Sequence, residues 1–221
     1  GAGGGLLFRA TIGGQNTPVV VGSAVTLHYH PPIITTIGGE NAFNSGTEGN
    51  GAVDLRGRHM GATSDQRIVA TYGPAGDETR YTAVACQSQS PTTIRCYTAP
   101  GTGKDFLWTL AVAQQAASPS PFNAGTRYAE PVVAVYAGDG ARDANTPGGQ
   151  TVLLQGRNFG PVGNQNIEMV RYFNGRDMVA FREAVAIGNT AAFAPPVFTV
   201  TSACTVSTAH VEISCVLTQG A

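Results

Sequence analysis

The sequence contains the stretch Val53-Asp-Leu-Arg-Gly-Arg-His-Met-Gly61, and 99 positions later it contains Val152-Leu-Leu-Gln-Gly-Arg-Asn-Phe-Gly160. Two glycines and an arginine fall at matching places in both stretches. Tyr29-His-Pro-Pro32 and Tyr128-Ala-Glu-Pro131 recur at the same spacing. Similarity at a fixed spacing is the mark of repeated structural units, and a period of about 100 residues suits one small domain. The sequence therefore predicts tandem modules.

The cysteines provide a second pair of landmarks. Ile94-Arg-Cys96 matches Ile213-Ser-Cys215, and another cysteine precedes each by 10 or 11 positions, namely Cys86 and Cys204. Here the spacing between the repeats has grown to 118 or 119. We therefore expect the second repeat to carry an insertion of about 20 residues between Gly160 and Cys204.

The start of the chain fits the same repeat, because Gly1-Ala-Gly3 matches Gly101-Thr-Gly103 at a spacing of 100. The repeat predicts three parts of the chain. They are the C-terminal strands of a preceding module in residues 1–31, a complete module in residues 32–130, and a module in residues 131–221. The last should carry the insertion around residues 165–198 and lack its final strands.

The composition and the residue pattern both indicate an all-β protein. Glycine accounts for 29 of the 221 residues and proline for 13, whereas charged residues make up only 12%. This balance is typical of short strands joined by tight turns. Apolar and polar residues roughly alternate in Thr151-Val-Leu-Leu-Gln155, as a strand with one buried face requires.

These motifs resemble the IPT/TIG family of immunoglobulin-like modules. In the second repeat the resemblance rests on Pro131-Val-Val, Thr146-Pro-Gly-Gly149, Gly156-Arg-Asn-Phe-Gly160, Cys204 and Cys215. The first repeat is a looser match, with Glu48-Gly-Asn-Gly51 at the double glycine and Met60 in place of phenylalanine. The resemblance implies tandem immunoglobulin-like β-sandwiches of the E-set type.

Four cysteines allow three pairings, and the symmetry of the repeat selects Cys86 with Cys96 and Cys204 with Cys215. The alternative is a set of four reduced, buried thiols in a cytosolic chain. Disulfides persist in oxidising compartments, so the predicted bonds favour an extracellular or cell-surface location, the surface of a cilium among them.

The charge pattern and the motifs argue against several classes of function. The net charge is −1 without clustered Lys or Arg, which disfavours nucleic acid, and no apolar run reaches the roughly 20 residues of a membrane span. Carboxylates are scattered singly and no catalytic or cofactor-binding motif occurs, so we expect neither an enzyme nor a cofactor. His28 and His30 lie two positions apart but lack a third metal ligand, and we interpret them as part of a solvated linker.

The predicted insertion is rich in aromatic residues and arginine, which are enriched at the energetic centres of protein interfaces. The predicted interface residues are Tyr172, Phe173, Arg176, Phe181, Arg182 and Phe193. The alternative is that the aromatic side chains extend the core of their own module.

Ser118, Pro119, Ser120 and Pro121 form a short Ser-Pro repeat. In plant-like secretory pathways such repeats are hydroxylated and O-glycosylated, and we predict this modification here. The alternative is a stiff, extended turn.

These features predict a non-enzymatic structural and adhesive segment of a large extracellular or cell-surface protein that forms fibres, in a ciliary or cell-wall setting. The expected partners are neighbouring modules, other chains of the same assembly, and glycans. Prolines at Pro32 and Pro131 should stiffen the joints between modules. The alternatives are the ligand-binding stalk of a plexin- or fibrocystin-like receptor and an accessory module of a carbohydrate-active enzyme.

Overall fold

The computed structural model describes residues 2–18, 26–62, 67–117, 125–173, 175–186, 197–200 and 203–219. The chain divides into two compact units, Gly1–Glu130 and Pro131–Ala221, which we call unit 1 and unit 2. Antiparallel strands dominate both units, so the predicted all-β class is confirmed.

Unit 1 contains a short hairpin and two four-stranded sheets. Its strands are β1 (Thr11–Ile12), β2 (Gln15–Asn16), β3 (Ile33–Gly38), β4 (Ala52–Arg58), β5 (Ile68–Gly73), β6 (Tyr81–Thr82), β7 (Val84–Ser90), β8 (Thr93–Tyr97), β9 (Leu107–Val112) and β10 (Gln115–Ala116). The hairpin pairs β1 with β2, the first sheet has the order β3-β4-β8-β7, and the second has the order β10-β9-β5-β6.

The core of unit 1 consists of residues from both four-stranded sheets. In β9 every second residue is buried, because successive side chains of a strand point to opposite faces. Trp108, Leu110 and Val112 thereby join Leu55 and Ile94 of the first sheet in one apolar cluster. The two sheets are therefore arranged like a sandwich.

Unit 2 repeats the first sheet of unit 1. Its elements are β11 (Val132–Ala137), the 3-10 helix η1 (Asp139–Ala141), β12 (Thr151–Arg157), β13 (Arg171–Phe173), α1 (Gly175–Ala186), β14 (Val197–Thr199), β15 (Cys204–Thr208) and β16 (Glu212–Val216). The sheet order β11-β12-β16-β15 corresponds to β3-β4-β8-β7. Even the bulge between Ile34 and Thr36 recurs, between Val133 and Val135.

Each unit has a glycine at the same place in its first sheet, where two neighbouring strands lie very close together. A Cβ atom on Gly57 would collide with the carbonyl oxygen of Ile33, and a Cβ on Gly156 would collide with that of Val132. Only glycine allows the neighbouring strand to approach so closely. The glycine at this place therefore fixes how the first two strands of each sheet meet.

The hairpin of β13 and β14 in unit 2 corresponds to that of β5 and β6 in unit 1. Tyr172 lies opposite Phe198 as Tyr72 lies opposite Tyr81. The connection between the paired strands comprises residues 174–196 in unit 2 and 74–80 in unit 1. The extra residues thus lie between β13 and β14, within the range predicted for the insertion, and α1 is part of them. Tyr172 and Phe173 belong to the strand before the insertion.

The first residues of the chain repeat the hydrogen bonds of the last strands of unit 1. Ile12 pairs with Gln15 as Val112 pairs with Gln115. The Tyr29 N–H donates to the carbonyl of Gly3, and the N–H of Tyr128 donates to Gly103, each over 3.0 Å. Residues 2–17 and 26–30 therefore have the backbone pairing of residues 102–117 and 125–129.

Candidate functional site

The two disulfide bonds join Cys86 to Cys96 and Cys204 to Cys215, as the symmetry of the repeat predicts. Each links two adjacent strands of its sheet, β7 to β8 and β15 to β16. The described residues include no free cysteine. Bonds of this kind indicate an oxidising environment.

Gln115 is the centre of a joint between the first residues of the chain and the module that follows them. Its Oε1 atom accepts a hydrogen bond from the Gly3 N–H over 3.0 Å. Its Nε2 atom donates to the carbonyl oxygen of Tyr29 over 2.7 Å. One side chain of the β9–β10 hairpin therefore binds both ends of the segment that comprises residues 3–29. Pro32, three residues after the end of this segment, is buried.

The histidines near the joint have structural partners. Nδ1 of His28 accepts a hydrogen bond from the Gly5 N–H over 3.2 Å, and Nε2 lies 2.5 Å from the Thr26 hydroxyl. The ring of His30 stacks on that of His59 with centroids 5.0 Å apart. Among the residues that the structure describes, no three His, Cys, Asp or Glu side chains are grouped to hold a metal.

A cluster of aromatic rings lies in the core of unit 1. Tyr72 stacks on Trp108 at 4.3 Å between centroids. The hydroxyls of Tyr72 and Tyr128 lie 2.6 Å apart, and Tyr128 donates to the carbonyl of Ala99. Burial raises the pKa of Tyr72 to about 12, and burial also raises the pKa of Tyr128. These hydroxyls are neutral, structural hydrogen-bonding groups at physiological pH.

A buried carboxylate lies on the first sheet of unit 1. Asp54 accepts hydrogen bonds from Nε and Nη2 of Arg95 over 2.7 and 3.1 Å, and Arg56 lies 3.4 Å away. The hydrogen bonds from Arg95 hold the pKa of Asp54 below its usual value. In unit 2 the equivalent positions hold Leu153 and Ser214, so this ion pair is a feature of unit 1 alone.

Within the part of the chain that the structure describes, the predicted interface residues do not come together in a single surface. Tyr172 is half-buried and stacks on Phe198 with centroids 4.9 Å apart, whereas Phe173 is 43% exposed. Arg176 and Arg182 lie exposed on α1. The side chain of Phe181 and all of Phe193 lie outside the described residues. The interface therefore stays a prediction, and the stacking of Tyr172 supports a core role for that residue.

Ser118, Pro119, Ser120 and Pro121 also lie outside the described residues, so O-glycosylation stays a prediction. No helix of the described part of the chain has the length and apolar character needed to cross a membrane.

Sequence reasoning missed the role of Gln115. The repeat does align Gln115 with Gln15. However, the partners of its amide group are backbone atoms of Gly3 and Tyr29, and a backbone partner leaves no trace in the residue pattern. Only the fold brings these groups together.

No protein-family model matches the chain, and no curated protein is significantly similar to it.

Proposed function

We propose that this chain is a non-enzymatic, structural and adhesive segment of a tandem array of IPT/TIG-like modules in a large extracellular or cell-surface protein. Its partners are the neighbouring modules and other chains of the same assembly. The two disulfides suit such a setting, because they keep small sandwiches folded outside the cell.

The proposal rests mainly on the joint at Gln115. Two hydrogen bonds from one side chain tie both ends of the preceding segment to the next module. His30 also stacks on His59, so the joint has contacts on more than one side. A flexible linker makes no such contacts. Consecutive repeats joined in this way would transmit tension along the chain.

Single-molecule stretching of the whole chain between its ends tests the proposal. We expect residues 3–29 to stay attached to the module of residues 32–130 until that module itself unfolds. Gln115→Ala should release the segment at lower force. Gln15→Ala is the matched control, since it occupies the same place in the preceding repeat and is exposed. Release of the wild-type segment at the force seen for Gln115→Ala would refute a tension-bearing joint.

Staining of intact, non-permeabilised cells with an antibody against the chain tests the location. We expect surface labelling. Labelling that requires permeabilisation would contradict the extracellular part of the proposal.

A further inference from the structure

Three arginines of unit 1 come together on the outer face of its first sheet. Leu55 of β4 and Ile94 of β8 point into the core. Successive side chains of a strand point to opposite faces, so Arg56, Arg58 and Arg95 point away from the core, and all three are exposed. The residue pattern shows no run of basic residues, and it is the pairing of β4 with β8 that creates this cluster.

A single carboxylate offsets part of the charge of the cluster. Asp54 lies 2.7 Å from Nε of Arg95 and 3.4 Å from Nη2 of Arg56. Within the part of the chain that the structure describes, the three arginines form no ion pair with any other carboxylate. Three guanidinium groups and one carboxylate therefore leave a surplus of positive charge on this face, and Asp54 holds the guanidinium group of Arg95 in place.

An aromatic residue extends the cluster into a line. Tyr97 lies two positions after Arg95 on the same face of β8 and is half-buried. The strand pairing places four residues in successive rows of the outer face, namely Tyr97, Arg95, Arg56 and Arg58. Neighbouring rows on one face are about 6.8 Å apart, so the line is about 20 Å long. We call these four residues the cationic track.

The equivalent face of unit 2 does not have this track. Uncharged residues occupy three of the four equivalent places, namely Val216, Ser214 and Gln155. Arg157 is the equivalent of Arg58, and the carboxylate of Glu212 accepts a hydrogen bond from Gln155 on this face. The repeated sheet therefore forms without a cationic track, and the fold alone does not require the one in unit 1.

We propose that the cationic track of unit 1 binds a linear anionic polysaccharide. Guanidinium groups bind carboxylates and tetrahedral oxyanions such as sulfate through paired hydrogen bonds. The ring of Tyr97 offers an apolar surface to the apolar face of a sugar ring. A line of about 20 Å suits an extended chain of several sugar units. The choice of a polysaccharide over nucleic acid rests on the extracellular location in the proposed function, whereas the track itself does not depend on it.

Biolayer interferometry of the full chain tests the proposal, with heparin and polygalacturonate as immobilised probes at about 0.15 M salt. We expect binding to at least one probe. Heparin carries sulfate and carboxylate groups, whereas polygalacturonate carries carboxylates alone, so the pair identifies the anion. Arg58→Ala should weaken binding about fivefold, because it removes a guanidinium group from the track. Arg157→Ala is the matched control and should leave binding unchanged. Circular dichroism checks that each variant is folded.

Tyr97 distinguishes a polysaccharide from other polyanions. Tyr97→Val introduces the residue found in unit 2, and it should weaken polysaccharide binding about threefold. Polyglutamate and oligothymidylate are the competing probes, and both should bind more weakly than the polysaccharide.

Three results would overturn the proposal. They are no binding to either polysaccharide, equal losses for Arg58→Ala and Arg157→Ala, and tighter or equal binding of polyglutamate or oligothymidylate. None of them changes the stretching result at Gln115 or the surface labelling of intact cells. Failure of this proposal and failure of the proposed function are therefore distinguishable.

Discussion

The first sheets of units 1 and 2 have the same backbone arrangement, but the two units differ in what covers the apolar face of that sheet. The first sheets have the same strand order, the same bulge and equivalent disulfides. Yet Val152 and Ile213 are each 9% exposed, whereas their equivalents Val53 and Ile94 are about fully buried. The register of the sheet is thus set by features within it, and the burial of its face depends on the second sheet.

The comparison predicts that a change in the second sheet will affect unit 1 most. Trp108→Ala should destabilise unit 1 by about 3–5 kcal/mol, because it removes a buried ring that stacks on Tyr72. Phe198→Ala in unit 2 should cost clearly less, since Phe198 is only half-buried. Amide hydrogen exchange measured by mass spectrometry gives the stability of each unit separately. Equal effects in the two units would contradict the comparison.

The disulfides should matter in both units. Replacing Cys86 and Cys96, or Cys204 and Cys215, with alanine should lower the stability of the respective unit by about 2–3 kcal/mol, as expected for loops of 10 or 11 residues. The loss of protection in β15 and β16 should be more complete, because the described part of unit 2 has fewer other strands than that of unit 1 to retain them. Urea titration followed by amide hydrogen exchange measures both the stability of each unit and the protection of its strands. Full protection of β15 in the double variant would be the contrary result.

The equivalent glycines of the two first sheets should be equally sensitive to substitution. Gly57→Ala and Gly156→Ala should destabilise their units by similar amounts, about 1–3 kcal/mol, since each new methyl group meets a backbone carbonyl. Gly38→Ala is the control, because open space surrounds that position. Urea unfolding monitored by circular dichroism gives the values. A large effect at Gly57 with none at Gly156 would show that the second sheet, and not the first, sets the register.

The smallest expected effect is a loss of stability of unit 1 that occurs only at high pH. An unfolded tyrosine ionises near pH 10, whereas the pKa of folded Tyr72 is about 12 and that of Tyr128 is raised as well. The contribution of these neutral hydroxyls is fully present below pH 10 and is lost as the pH rises through the folded pKa values. Above pH 10 the stability of unit 1 should fall by about 1.4 kcal/mol per pH unit for each tyrosine. Tyr128→Phe should reduce this slope in urea titrations, and an unchanged slope would contradict the assignment.

The sequence predicted the elements that repeat, because the same local constraints produce them twice. The strands β3 and β4 recur at the predicted spacing as β11 and β12, and the cysteines pair as their symmetry requires. The helix α1 was not predicted, since the insertion has no counterpart in the first repeat. The joint at Gln115 depends on backbone groups distant in sequence, so the residue pattern alone did not reveal its contacts.

The position of Trp108 has a practical consequence for spectroscopy. It is the only tryptophan in the chain, and it lies buried in unit 1 against Tyr72 and Thr126. Intrinsic tryptophan emission therefore reports on unit 1 and is insensitive to the melting of unit 2. A fluorescence melt would look like a single complete transition even when unit 2 had already unfolded, and a second probe is needed to see it.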